Sequence, residues 1–169
     1  MKKLFCCAWL LAALSVTGCG LLEPVIVDWN PVDIFIEAVD ADGNFILSPD
    51  MPDMTLTFKG ETYHVTDGYY PASPPTRMVL TQIYGLVAQA MYEVDGQTVY
   101  RLCFGEIDGA ADMDEDILLH WPDGSEDVIH YHCSNHRTWP SVSCKRTWKL
   151  NGDKYEGNTF RFTGKTLPD

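Results

Sequence analysis

Two histidines that share one face of a predicted strand are the clearest metal-ligand pattern in the chain. His130 and His132 are separated by one residue, and residues two apart on a strand point to the same side of a sheet. Imidazole nitrogens are common zinc ligands, and His120 and His136 lie close enough in sequence to be further candidates. No third ligand stands at a fixed spacing, so surface histidines on a strand are the simpler interpretation.

Two acidic segments contain the residue types that bind calcium. Asp40 and Asp42 begin an Asp-Ala-Asp-Gly-Asn sequence that starts like an EF-hand loop, but Met51 stands where the bidentate glutamate belongs. A β-turn with Asp and Gly in their usual positions is the alternative. The second segment, 106–116, is predicted to be a loop whose crowded carboxylates need relief from solvent or a cation. Its candidate calcium ligands are Asp112, Asp114 and Asp116, and no other cofactor is predicted.

Aromatic residues beside loops are the best indication of ligand binding in this sequence. Flat rings stack on sugars and anchor protein partners. Tyr69, Tyr70 and Trp139 lie in or next to proline-containing loops, and we predict that these three are exposed and bind a ligand. Trp121 and Trp148 also lie near loops, but for them we favour a role in capping the core.

Signatures of enzymes are absent from the sequence. It has no Gly-x-Ser-x-Gly elbow, no His-Glu-x-x-His and no glycine-rich phosphate loop. Scattered acids could form a glycosidase pair, but sequence alone places no two of them across a cleft. The net charge of −12 disfavours nucleic acid as a partner, because phosphates would be repelled. A non-catalytic binding protein is therefore predicted.

Short alternating segments must position these residues. Segments of five to nine residues, rich in Val, Ile, Thr and aromatic residues, are separated by turn signals such as Lys59-Gly60 and Asp95-Gly96. A long proline-rich loop is predicted over 66–77, and no segment shows a sustained helical stripe. The pattern predicts one all-β domain over 32–169, a mostly antiparallel β-sandwich of immunoglobulin-like or transthyretin-like type. The predicted strands are 32–39, 54–58, 61–65, 86–94, 98–104, 117–121, 127–133, 142–150 and 159–163.

Three cysteines lie in the predicted domain. Cys103 stands in an apolar run and is predicted to be a buried packing thiol. Cys133 and Cys144 are close in sequence across a turn-rich segment, so we predict that they form a disulfide in an oxidising compartment. Two alternatives stay open: the three thiols bind a metal together, or Cys103 forms an intermolecular bridge.

The N-terminal residues have the organisation of an export signal. Lys2 and Lys3 precede an apolar run over 4–14, which is too short to remain as a membrane-spanning helix. The run ends in Val16-Thr17-Gly18-Cys19, which resembles the lipobox of bacterial lipoproteins. The resemblance implies removal of residues 1–18, a diacylglycerol thioether on Cys19 and N-acylation of the new terminus. The alternative is an ordinary secreted protein in which Cys19 is incidental.

The lipobox resemblance implies an outer-membrane protein held by its lipid, on the periplasmic or surface face. Removal of 18 residues from 169 leaves 151, and the loss of two lysines changes the net charge from −12 to −14. Acyl chains, rather than basic residues, must then supply membrane attachment. The tether, residues 19–31, is short and partly apolar, so we expect the domain to lie close to the membrane.

Several turn-containing segments resemble small lipoproteins of Bacteroidetes-type bacteria. They are Val-Asp-Ala-Asp-Gly-Asn, Thr-Phe-Lys-Gly-Glu-Thr-Tyr, Phe-Gly-Glu-Ile-Asp-Gly and Trp-Pro-Asp-Gly-Ser-Glu-Asp-Val-Ile, within residues 19–133. This resemblance implies an all-β fold and an envelope location, and it transfers no catalytic residue. Two partner classes are expected: an extracellular ligand, such as a glycan or a host protein, or another protein of an envelope assembly.

Overall fold

The computed structural model describes residues 31–71, 82–107, 112–138 and 141–166. In these ranges the regular secondary structure is entirely β, so the predicted all-β class is confirmed. Within them, nothing helical is long and apolar enough to traverse a bilayer. The strands are β1 (Asp33–Val39), β2 (Thr55–Phe58), β3 (Glu61–Asp67), β4 (Leu86–Val94), β5 (Gln97–Gly105), β6 (Met113–His120), β7 (Glu126–Thr138), β8 (Ser141–Leu150), β9 (Asp153–Tyr155) and β10 (Thr159–Thr163).

The strands form one continuous, mostly antiparallel sheet. Its order is β10-β1-β5-β4-β3-β2-β6-β7-β8-β9. Two neighbouring pairs are parallel, β1 with β10 and β3 with β4, and the sequence pattern did not indicate either pair. Strand β3 connects the two halves, because its first residues pair with β2 and its last residues pair with β4.

Two-residue turns join the predicted hairpins as expected. Lys59 and Gly60 have φ values of 51° and 80° between β2 and β3, and Asp95 and Gly96 have 50° and 79° between β4 and β5. Such left-handed pairs match the twist of antiparallel strands, and Asp-Gly adopts them readily. Asn151 begins a similar turn between β8 and β9, and β9 itself was not predicted.

The main core lies between the two halves of the sheet. Alternation along β1 buries Ile34 and Ile36 completely. The ring of Phe104 on β5 lies 5.9 Å from Phe58 and 5.0 Å from Tyr63, on the other half. Trp148 on β8 similarly contacts Phe160 on β10, with 5.4 Å between centroids. The two halves therefore face each other in a sandwich-like arrangement, although the ladder that connects them is continuous.

The acidic segment differs from its prediction. The whole segment, 106–116, was expected to be a loop, yet residues 113–116 belong to β6. Met113 and Ile117 are buried, whereas Asp114 and Asp116 between them are exposed. The loop prediction was wrong because it relied on the acidic composition of the segment. It overlooked the alternation of buried and exposed residues that is typical of a half-buried strand.

A buried polar network holds the end of the chain. Asp127 Oδ2 forms a 2.6 Å ion pair with Lys165 Nζ and accepts a 2.7 Å hydrogen bond from Trp121 Nε1. Its Oδ1 accepts another of 2.7 Å from Asn151 Nδ2. Burial raises the pKa of Asp127, but the donors of Lys165, Asn151 and Trp121 outweigh it and hold the pKa below the usual value. Trp121 and Trp148 are both buried, as predicted.

Candidate functional site

An open cavity of about 280 Å³ lies on the outer face of the β1–β5–β4 part of the sheet. It is separated from the main core by the sheet itself, since the outward residues of β1 alternate with the buried Ile34 and Ile36. The loop after β3 forms one wall. The lining residues are Asp33, Phe35, Tyr69, Tyr70, Pro71, Gln89 and Arg101.

Three neighbouring strands fix the floor of the cavity. Gln89 on β4 and Arg101 on β5 are directly opposite each other in the ladder, and Gln89 Oε1 accepts a 3.1 Å hydrogen bond from Arg101 Nη2. The guanidinium also lies 4.2 Å from the ring centroid of Phe35 on β1, a cation–π contact. Arg101 is thus held from two sides, so little side-chain freedom is lost if it binds a ligand.

Tyr70 is buried, which corrects its prediction as an exposed ring. Its side chain is 4% exposed and packs with Val87 and Cys103 in a second, smaller cluster. Its hydroxyl donates a 2.8 Å hydrogen bond to Asp33 Oδ1. Burial, reinforced by the charge of Asp33, raises the pKa of Tyr70 well above its usual value. Tyr70 therefore stays protonated and positions Asp33 at the edge of the cavity.

Tyr69 is the exposed member of the pair. Its side chain is 80% exposed, as predicted, and it stands at the rim of the cavity. Trp139, the third predicted ligand-binding residue, lies outside the described residues. The sequence analysis missed Asp33, Phe35, Gln89 and Arg101. One signal in the sequence pointed to this outer face of the sheet. Phe35 is an apolar residue at an outward position of β1, whose other large apolar residues point inward.

A second group of side chains brings together the histidines predicted as zinc ligands and the aspartates predicted as calcium ligands. Asp114 and Asp116 on β6 stand directly opposite His132 and His130 on β7. His130 Nδ1 lies 2.8 Å from Asp116 Oδ1, and His130 Nε2 lies 3.1 Å from Asp114 Oδ1. Among the described residues, no group of three or more His, Cys, Asp or Glu side chains is arranged to hold a metal ion.

The other candidate metal ligands are spread apart. His120 contacts Glu126 at 3.1 Å, at the far end of β6, and His136 is exposed further along β7. Asp112 Oδ1 accepts a 2.6 Å hydrogen bond from the Asn135 backbone N–H. Asp112, Asp114 and Asp116 occupy successive outward positions along β6 or just before it, about 6.6 Å apart along a strand, and they do not converge.

Asp40 has the role of a turn residue. Its Oδ1 accepts hydrogen bonds from the backbone N–H groups of Asp42 (2.9 Å) and Asn44 (2.8 Å), and its Oδ2 accepts one from Asn44 Nδ2 (2.9 Å). The Asn44 side chain is the main cause of a lowered pKa at Asp40. This is the turn that the sequence offered as the alternative to calcium, and calcium binding by Asp40 and Asp42 stays a prediction.

The two cysteines predicted to pair are neighbours across β7 and β8. Cys133 Sγ and Cys144 Sγ lie 3.4 Å apart, compared with about 2.05 Å in a disulfide. The two cysteines that were predicted to pair are therefore close in space. The disulfide itself stays a prediction. Cys103 is fully buried, as expected, and burial raises the pKa of its thiol to about 11.

The predicted signal (1–18), the predicted lipidation site Cys19 and all but residue 31 of the predicted tether lie outside the described residues. Comparisons with known protein families, with curated proteins and with solved structures find no match.

Proposed function

We propose that this protein is a lipid-anchored envelope protein of the outer membrane that binds a glycan in the cavity beside Tyr69 and catalyses no reaction. The observation that carries the proposal is the exposed ring of Tyr69 at the rim of an open cavity with fixed polar groups. An exposed ring offers a flat apolar face to the C–H face of a sugar.

The polar groups of the cavity suit a ligand with many hydroxyls. Arg101 supplies donors, Asp33 supplies carboxylate oxygens, and Gln89 carries an amide that both donates and accepts. Arg101 and Asp33 are held by protein contacts, which lowers the entropic cost of ordering them around a ligand. An aromatic platform beside convergent polar groups is the general composition of a specific small-ligand site.

The number of carboxylic acids in the cavity favours ligand binding over glycoside hydrolysis. Among the lining residues of the cavity, Asp33 is the single carboxylic acid, whereas most glycoside hydrolases need two that flank the scissile bond.

A second candidate function is assembly with another envelope protein. The end of the β4–β5 hairpin is exposed on both sides and carries Met91, Tyr92 and Val94, which are exposed apolar residues. A protruding apolar hairpin fits a protein partner better than a sugar. Crosslinking in cells would then give one discrete protein adduct, and Tyr92→Ala would remove it.

The glycan proposal is tested by affinity electrophoresis of the purified full-length protein in gels that contain mucin, xylan, pectin or dextran. We expect retardation in at least one gel, reduced at least tenfold in apparent affinity by Tyr69→Ala. Tyr92→Ala is the matched control, since Tyr92 is also an exposed tyrosine, at 51%, but lies outside the cavity. Retardation that Tyr69→Ala leaves intact, or no retardation in any gel, would contradict the proposal.

The location is tested separately by protease shaving of intact cells, with a periplasmic marker to confirm that the outer membrane is sealed. Loss of the domain would place it on the cell surface, and survival would place it inside the envelope. Cys19→Ala should move the protein from the membrane fraction to the soluble fraction. If that variant stays in the membrane fraction, the lipid anchor is wrong whatever the gels show.

A further inference from the structure

Arg101 is the single cationic residue in the lining of the cavity beside Tyr69. Among the described residues, no carboxylate forms an ion pair with Arg101, whereas Lys165 is paired with Asp127. Acidic residues outnumber Lys and Arg in this chain by 24 to 12, so a cation without an acidic partner runs against the composition. The cavity therefore presents a positive charge that no ion pair within the described residues neutralises.

The guanidinium of Arg101 is held along one edge, which leaves its other edge for a ligand. Gln89 Oε1 accepts hydrogen bonds from Arg101 Nε at 3.4 Å and from Nη2 at 3.1 Å. The ring of Phe35 supports the plane, with 4.2 Å between its centroid and Arg101 Cζ. A guanidinium has five N–H donors in a rigid fork, and these contacts leave the edge formed by Nη1 and Nη2. That edge matches the two oxygens of a carboxylate.

Gln89 adds a second donor beside Arg101. Its Oε1 already accepts from Arg101, and Cys103 Sγ also donates to it over 3.4 Å. Because both donors need the oxygen of the amide, the orientation of the amide is fixed, and its nitrogen keeps two N–H donors. Gln89 lines the cavity, so a ligand meets N–H donors from two neighbouring side chains. An anionic oxygen accepts from both.

Asp33 lies towards the other end of the cavity. In the antiparallel β1–β5 ladder it is opposite Gly105, four positions beyond Arg101 on β5. Four residues of a strand correspond to about 13 Å along the sheet. Asp33 Oδ1 also accepts the hydrogen bond from Tyr70. The cavity therefore offers a cation and N–H donors at one end and carboxylate oxygens, which accept from hydroxyls, at the other.

Building on the glycan binding proposed above, we propose that the cavity binds a sugar residue that carries a single carboxylate, as uronic acids and sialic acids do. The carboxylate pairs with Arg101, the sugar ring stacks on Tyr69, and hydroxyls of the sugar donate to Asp33. The cavity volume of about 280 Å³ is at the small end of the range for ligand sites, which suits one sugar residue of a longer chain.

The net charge of −12 restricts the ligand to one with few charges. Exposed charges are screened beyond about 8 Å at physiological ionic strength. An isolated carboxylate at Arg101 therefore interacts mainly with its immediate neighbours. A polyanion with a charge on every unit would be repelled along its whole length.

The test compares sugars that differ in the charge of the carboxyl group. Glucuronoxylan is compared with its carboxyl-reduced form in affinity gels, and sialyllactose is compared with its methyl ester by calorimetric titration of the purified full-length protein. The first pair reports on uronic acids and the second on sialic acids. In at least one pair, the acidic form should bind about 10–100-fold more tightly than the uncharged form, as the loss of a hydrogen bond between charged groups predicts.

Substitutions of Arg101 assign the preference to its side chain. Arg101→Gln should lower the affinity for the acidic form to that for the uncharged form. Arg101→Lys keeps the charge but loses the fork, so it should keep part of the preference. Lys149→Gln is the matched control, because it removes one positive charge at an exposed position of β8 outside the cavity, and it should bind like the wild type. The ratio of the two affinities does not change if a variant merely folds less completely.

The outcomes separate the class of sugar from glycan binding itself. Equal affinity of the wild type for both forms in each pair, or a preference that Arg101→Gln leaves intact, would overturn the assignment of an acidic sugar. Retardation by dextran without binding of any acidic probe would do the same. If Tyr69→Ala abolishes binding in those cases, glycan binding stands and only the class of sugar is wrong. Failure of every acidic and neutral sugar to bind would overturn both proposals.

Discussion

Trp121 and Tyr70 each donate a hydrogen bond to a carboxylate, and their surroundings differ. Trp121 donates to Asp127 inside a closed network that Lys165 and Asn151 complete. Tyr70 donates to Asp33 at the edge of an open cavity. The same local pair is structural where the protein encloses it, and becomes a candidate ligand site where solvent and ligands can reach the carboxylate.

Lys165→Met is expected to have the largest effect. It leaves the charge of Asp127 buried without its cation, and loss of one partner of a buried ion pair costs about 3–5 kcal/mol. Urea denaturation should show a fall of this size in the free energy of unfolding. The matched control is Lys154→Met, which removes an exposed ion pair with Glu156 and should change that free energy by at most about 1 kcal/mol. Equal effects of the two variants would show that the network is not enclosed.

Tyr70→Phe should cost less, because water from the cavity can replace the lost donor at Asp33. A hydrogen bond to a charged group contributes about 1.5–3 kcal/mol, and we expect the lower end. Denaturation of the variant measures this cost, and the polysaccharide gels measure whether Asp33 still supports binding. A loss as large as that of Lys165→Met would mean that Asp33 is as enclosed as Asp127.

The pH dependence of stability should separate the two carboxylate pairs. The lowered pKa of Asp127 adds stability above its unfolded value of about 3.9, which is lost as pH falls through the lower folded pKa. The raised pKa of Tyr70 affects stability at alkaline pH. Above pH ~10 this tyrosine ionises only in the unfolded state, so the free energy of unfolding falls by up to ~1.4 kcal/mol per pH unit. Thermal melts from pH 2 to 11 would test this: Asp127→Asn should make the acid limb less steep and leave the alkaline limb unchanged, and Tyr70→Phe should do the reverse.

Tyr69→Ala should have the smallest effect on stability. Its side chain is 80% exposed, and exposed substitutions usually change the free energy of unfolding by less than about 0.5 kcal/mol. Unchanged denaturation together with lost glycan retardation would sharpen the contrast between a binding residue and a structural one. A destabilisation above 1 kcal/mol would instead make Tyr69 part of the fold.

The sequence predicted the elements of the fold better than their arrangement. Alternation identified β1, and Asp95-Gly96 identified the β4–β5 hairpin, because both signals are local. The parallel pairing of β1 with β10 joins residues such as Phe35 and Thr159, and no local pattern encodes a contact so distant. Composition misassigned 113–116 as a loop, since the acidic residues concealed the buried positions of Met113 and Ile117.

In the candidate sites, too, local features were predicted better than contacts between distant residues. Tyr69 was predicted to be exposed from its position beside a proline-rich loop, and this is confirmed. Tyr70 was predicted to be exposed as well, but its side chain turns inward to Val87 and Cys103, and composition alone does not tell the directions of two adjacent loop side chains apart. Arg101 and Gln89 were missed because their role arises from a cross-strand pair, and the histidine–aspartate group was divided because its halves lie on different strands.

The pairing of β1 with β10 also sets the order in which the polypeptide can complete its fold. Strand β1 finds one partner in β5, but its other edge stays open until residues 159–163 have been made. Contacts of such long sequence separation slow folding and prolong the time for which a strand edge is exposed. In the exported protein that we propose, this delay would favour an unfolded, transportable chain until residues 159–163 have been synthesised.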